Sequence, residues 1–279
     1  MKTIKITAVA FCILVIFSCK KSENRSTENS VQNTEIQDEK LTEKEVTYTS
    51  DGKNFKSFVV YSGDSVTKKP VVFVIPEWWG LNDYSKSRAK QLAELGYFAM
   101  ALDFYGDGKT VENPDDAGKL ATPFYENPNL GKNAFDAGKA ELAKFPNADQ
   151  SKMAVIGYCF GGAQSLNMAR QESDLKGAAV FHGNLMTGVK PNNNKVKIIV
   201  FNGEADGFIS QEEIAAFKKE MDSAKMDYQF FNYPGALHAF TNPEATEVGK
   251  KFDMKVAYNK DADEKSWAEL QKFLKEIFK

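Results

Sequence analysis

Ala154–Ser165 reads AVIGYCFGGAQS, an apolar run that meets a glycine, then a cysteine, then two more glycines at the start of a helix-like segment. Gly157-Tyr158-Cys159-Phe160-Gly161 fits G-x-S-x-G with cysteine in place of serine. A nucleophile on a sharp strand-to-helix turn takes a strained backbone conformation that crowds the residues two before and two after it, and glycine at both positions relieves the crowding. The helix that follows directs its first amides and positive dipole end at the thiol, which favours the thiolate. The pattern therefore predicts strand, turn and helix, with Cys159 as a nucleophile and the Phe160 amide as an oxyanion donor.

Outward from this stretch, strand and helix signals alternate. EVTYTSDGKNFKSFVVYS holds two strand-like runs around Asp51-Gly52, a hairpin signal. PVVFVIP, YFAMALDFYG, KMAVIGY, KGAAVFHG, KVKIIVFNG and DYQFFNYPG read as strands, and the near-continuous apolar runs of PVVFVIP, YFAMALDFYG, KGAAVFHG and KVKIIVFNG suit burial on both faces. YSKSRAKQLAELGY, residues 131–144, GAQSLNMARQ, SQEEIAAFKKEMDSA with Ser210 as cap, and DEKSWAELQKFLKEIF read as helices. The pattern predicts an α/β fold: a mostly parallel sheet with an N-terminal hairpin and helices on both faces. In such sheets ligands bind at the carboxyl ends of the strands. Glu77-Trp78-Trp79, Cys159, Glu204 and Asp206, and His238 all follow strand runs there. The order nucleophile, acid, histidine is that of the α/β-hydrolase fold. His238 is the expected base, and Asp206, rather than its rival Glu204, the expected orienting acid. His182 precedes Asp206, so it is expected only to line a pocket or make a hydrogen bond.

The chain has 279 residues, 42% of them hydrophobic, and a net charge of −2, with no basic stripe, so a nucleic-acid partner is not expected. Residues 1–18 resemble a secretory signal: Lys2 and Lys5, then the apolar run Ile6–Phe17, which is too short to span a bilayer. Ile16-Phe17-Ser18-Cys19 resembles a lipobox, which implies cleavage before Cys19, its lipidation, and a lipid-anchored, exported protein on a membrane of the cell envelope. Residues 19–44 are polar and aperiodic, a flexible tether, and 45–279 form the single folded domain. Of three cysteines, Cys12 leaves with the signal and Cys19 is acylated, so Cys159 remains as a lone thiol without a disulfide partner.

PEWWGLN, GYCFGGA, NGEADGFI and YPGALHAF together resemble the dienelactone hydrolase family, a cysteine branch of the α/β-hydrolases, over about Glu45 to Lys279. The resemblance implies a Cys159–Asp206–His238 triad, an oxyanion hole from the amides of Phe160 and Trp78, and a Glu77 that modulates the thiol. It implies a small-molecule ester or lactone substrate and no cofactor or metal, and the chain is expected to be a monomer or weak dimer. Departures concern the substrate. The family's carboxylate-gripping arginines are missing near Tyr105-Gly106-Asp107 and at Asn242, and Ala239 replaces a serine. Trp79, Tyr105 and His182 are then the expected pocket residues, and specificity for a dienelactone is not expected. Two other classes compete: a non-catalytic ligand-binding lipoprotein on a hydrolase scaffold, and a peroxide-sensing thiol protein, which here lacks a resolving cysteine.

Overall fold

The computed structural model describes residues 40–192 and 194–279. Residues 1–18, Cys19 and the tether as far as residue 39 lie outside the described residues.

Strands β1 (Leu41–Ser50) and β2 (Lys53–Ser62) form an antiparallel hairpin around Asp51-Gly52. Both turn residues have positive φ, 50° and 76°, as the tightest hairpin turns require. β1 begins at Leu41, ahead of the Glu45 boundary suggested by composition. Leu41-Thr42-Glu43-Lys44 opens an edge strand with side chains that are exposed or half-buried, and such a stretch has the polar composition of a tether.

β3 (Lys69–Ile75), β4 (Phe98–Ala101), β5 (Ala148–Tyr158), β6 (Leu175–Phe181), β7 (Lys197–Gly203) and β8 (Tyr228–Tyr233) complete an eight-stranded sheet in the order β1-β2-β4-β3-β5-β6-β7-β8. Pairings from β4 to β8 are parallel, and β2 pairs antiparallel with both neighbours. From β3 the chain steps to β4 on one side, and after β5 it proceeds to β6 on the other. A crevice therefore opens between the carboxyl ends of β3 and β5.

Side chains of the central strands alternate between two cores. Val71, Phe73 and Ile75 of β3 enter one, with α3 (Pro128–Glu141), α4 (Phe160–Gln171) and α5 (Gln211–Ser223). Val72 and Val74 enter the other, against α1 (Asp83–Glu94) and α7 (Lys260–Ile277). The period of two along a strand, with apolar residues on both sides, is why these strands read as unbroken hydrophobic runs.

Two helices were not expected from the sequence, although one opens on an Asn113 cap followed by Pro114. α2 (Pro114–Glu126) contains Gly118 and an internal Pro123, both poor helix formers. α6 (Ala245–Phe252) spans only 8 residues and includes Gly249. β4 is also shorter than YFAMALDFYG suggested, because Asp103 accepts backbone N–H bonds from Lys56, Gly106 and Gly108 and turns the chain out of the sheet.

Phe73 is fully buried on β3, with its ring edge-on to Phe135 at 4.9 Å. Phe73→Ala should lower unfolding free energy by about 3–5 kcal/mol, measured as a shift of the urea midpoint.

Candidate active site

Cys159 caps α4 with φ 53° and ψ −117°, a left-handed conformation that side chains seldom adopt. The glycines around it are required by close packing. A Cβ on Gly157 would overlap the Gly161 carbonyl, and one on Gly161 would overlap the Ile75 carbonyl of β3. Helix α4 thus lies against the strand ends with its first amides beside the thiol. The thiol itself is half-buried and faces a cavity of about 740 Å³.

His238 follows β8 and lies over the crevice. Its Nδ1 donates to Asp206 Oδ2 at 2.8 Å, and the ring shares the cavity wall with Cys159, close enough for the sulfur to act on its charge. Asp206 is buried after β7, and its Oδ1 accepts the Phe208 amide at 2.8 Å, while Glu204 is exposed. Burial by itself would depress the imidazole. The Cys159 sulfur and Asp206 overcome that and raise His238 from 6.5 to about 10. The site therefore favours an imidazolium between a sulfur and a carboxylate.

Glu77 follows β3 and is 2% exposed. Burial raises its carboxyl from 4.5 to about 7, against the opposing effects of an Asn242 Nδ2 hydrogen bond at 2.8 Å, His238 and Arg88. Asn242, singled out in the sequence only as a missing arginine, is thus the direct partner of this carboxylate.

Phe160 opens α4, so its amide lies in the first turn, where helix N–H groups have no partner within the helix. Trp78 is the second residue named as an oxyanion donor, and its side chain lines the cavity, as does that of Trp79. Tyr105 and His182, expected in the pocket, do not line it. Tyr105 is 4% exposed and donates its hydroxyl to the Trp78 carbonyl at 2.9 Å, bracing that backbone from behind. His182 lies beneath Cys159: its Nδ1 accepts the Cys159 amide at 3.1 Å, and Nε2 meets Thr241 Oγ1 at 2.8 Å. Burial, then His238 and Arg88, hold His182 well below 6.5. It therefore favours the neutral form. Of the two roles expected for His182, it has the hydrogen-bonded one rather than the pocket-lining one, and Tyr105 turns away from the cavity, because a strand-end position does not reveal whether a side chain points to the crevice or back into the core.

Sequence reasoning missed Tyr125, Met186, Phe208, Val248, Met254 and Val256 on the cavity wall. Only Phe208 carried a local signal, beside Asp206, and its ring lies 4.9 Å from that of His238. Tyr125 and Val248 belong to the two helices that the sequence did not announce. Among the described residues no group of three or more His, Cys, Asp or Glu side chains could hold a metal ion. Among them, too, no helix is long and apolar enough to cross a membrane.

A family model described as the dienelactone hydrolase family matches residues 55–278. Protein usf of Aquifex pyrophilus is 36% identical over 185 residues, 64% of this chain and 80% of its own. A dienelactone hydrolase-like promiscuous phosphotriesterase from metagenomic libraries superposes with TM-score 0.78 at 29% identity, covering 86% of this chain and 99% of its own. An α/β-hydrolase from a Medee basin deep-sea metagenome library shares the fold, with TM-score 0.55 at 14% identity, over 85% of this chain and 98% of its own.

The raised Glu77 carboxyl has a consequence for stability. Native protein holds this proton more tightly than the unfolded chain, so the associated stability is full below pH 4.5 and is lost as pH rises through about 7. Glu77→Gln removes that loss. The variant should exceed wild type by about 3 kcal/mol at pH 8 and differ little at pH 4, as read from urea unfolding at both values.

Proposed function

The chain belongs to the dienelactone hydrolase family, and from that premise we propose that it cleaves a carboxylic ester, lactone or thioester through an acyl-enzyme on Cys159. The observation that carries the proposal is His238, hydrogen-bonded to the Asp206 carboxylate, on the wall of the same large cavity as the Cys159 thiol.

In the proposed cycle, Cys159 attacks the substrate carbonyl as a thiolate paired with the His238 imidazolium. Oxyanion charge is accepted by the amides of Phe160 and Trp78, each contributing about 3 kcal/mol to transition-state stabilisation. His238 then protonates the leaving alkoxide and, once neutral, takes a proton from the water that attacks the thioester. Release of the acid regenerates the thiol. Asp206 holds the imidazole with Nδ1–H toward itself, so that Nε2 serves the reacting atoms. Glu77 is the proposed modulator of the thiol, acting through the charge it gains near neutral pH.

The proposal extends to location. Lys2 and Lys5, the apolar run Ile6–Phe17 and Ser18-Cys19 support export and a lipid anchor on Cys19 in the cell envelope. The polar segment 20–39 would then hold the catalytic domain away from the bilayer.

Hydrolysis of p-nitrophenyl acetate by the soluble domain tests the chemistry. Cys159→Ala and His238→Ala should each lower kcat by roughly 10³-fold or more, with the double variant little worse than either single one. Equal, slow release by wild type and Cys159→Ala would leave a binding scaffold as the better description. For the anchor, radiolabelled palmitate should be incorporated by the full-length protein in a bacterial host, and Cys19→Ala should abolish the label.

A further inference from the structure

Apart from the His238 ring, the charged side chains that line the cavity beside Cys159 are acidic. Its wall includes the carboxylates Glu77, Glu212 and Glu213, and among the described residues no lysine or arginine lines it. Glu77 lies at the base, engaged by Asn242. Glu212 and Glu213 lie in the first turn of α5. Glu212 is exposed, whereas Glu213 accepts the amides of Leu185 and Met186 at 2.6 and 3.2 Å and so fixes the loop that carries Met186. The cationic side chain facing the cavity is His238, and its charge is matched by the Cys159 sulfur and Asp206. An incoming carboxylate would therefore meet acidic groups with no basic side chain to receive it.

The rest of the wall is apolar. Trp78 and Trp79 form one part, and Ala245, Val248, Met254 and Val256, in and just after α6, form another. The rim is apolar as well. Tyr125, Met186 and Phe208 line the cavity while remaining 38%, 40% and 50% exposed, among the most exposed large hydrophobic side chains described. A volume of about 740 Å³ lies within the range of sites that enclose a drug-sized molecule. Burial of apolar ligand surface is the main attraction such a wall can supply.

We propose that the physiological substrate is an uncharged ester with a bulky apolar portion, and that Glu212 and Glu213 at the α5 end of the cavity exclude esters bearing a free carboxylate. This rests on the ester-hydrolase function proposed above and specifies its substrate class. Glu212 is a selectivity residue: it acts on the approach of charge and takes no part in bond making.

Two esters of equal chain length test it, p-nitrophenyl hexanoate and p-nitrophenyl hydrogen adipate, which differ by an ω-carboxylate. At pH 7.5 and low ionic strength, wild type should favour the hexanoate at least tenfold in kcat/KM. Glu212→Gln should narrow that ratio at least threefold. Ala216→Lys, at an exposed position of α5 on the same wall, should narrow it at least tenfold, and 0.5 M NaCl should narrow the wild-type ratio by screening. A wild-type ratio near one or in favour of the adipate, or a ratio moved by neither variant, overturns the substrate assignment while the hydrolase function stands. Failure to cleave either ester faster than Cys159→Ala does would remove the hydrolase function, and the substrate class with it.

Discussion

The arrangement around Cys159 depends on how closely α4 approaches the ends of β5 and β3. At Gly157 and Gly161 no side chain fits, because a Cβ on either would overlap a backbone carbonyl. That contact leaves room for one abrupt residue between strand and helix, and Cys159 takes it with a positive φ. Local strain of this kind costs on the order of 1–3 kcal/mol. Here it is sustained by the central strands, whose side chains are buried in two cores. Were the helix farther from the strand, the sulfur would neither reach His238 nor lie beside the first amides of α4.

Charge is distributed around that turn by burial and by partner choice. His238 is buried yet favours its cationic form, because a sulfur and a carboxylate flank it. His182 is equally enclosed but has no carboxylate partner, so burial prevails and the ring stays neutral beneath the nucleophile. Glu77 is buried with the Asn242 amide as its hydrogen-bond partner, and burial prevails over that bond and raises its carboxyl to about 7. Three titratable groups within one crevice thus take three different charge states for three local reasons.

Legibility in the sequence followed the range of the interactions. Strands β3, β5, β6 and β7 were visible because two-sided burial selects unbroken apolar runs. Ser210 was visible as a cap because its side chain bonds the backbone three residues on. Helices α2 and α6 were not, since Pro123, Gly118 and Gly249 oppose helix formation and packing overrides local preference. Tyr105 was placed near the correct end of the sheet but on the wrong side of the pocket wall, and for His182 the sequence left open whether it lines the pocket or makes a hydrogen bond, which the fold decides for the latter. Their partners, the Trp78 carbonyl and the Cys159 amide, lie 27 and 23 positions away in the chain.

The sequence by itself determined the alternation of strand and helix, the turn at Cys159, and the chain order of thiol, carboxylate and imidazole, because each is written in contiguous residues. Only the tertiary structure decided that Asn242 meets Glu77, that His182 lies under the nucleophile, and that carboxylates and apolar side chains from α2, α5 and α6 enclose the cavity. These contacts join segments far apart in the chain, and side-chain direction across such distances is set by packing of the whole sheet and its helices, which no local pattern encodes.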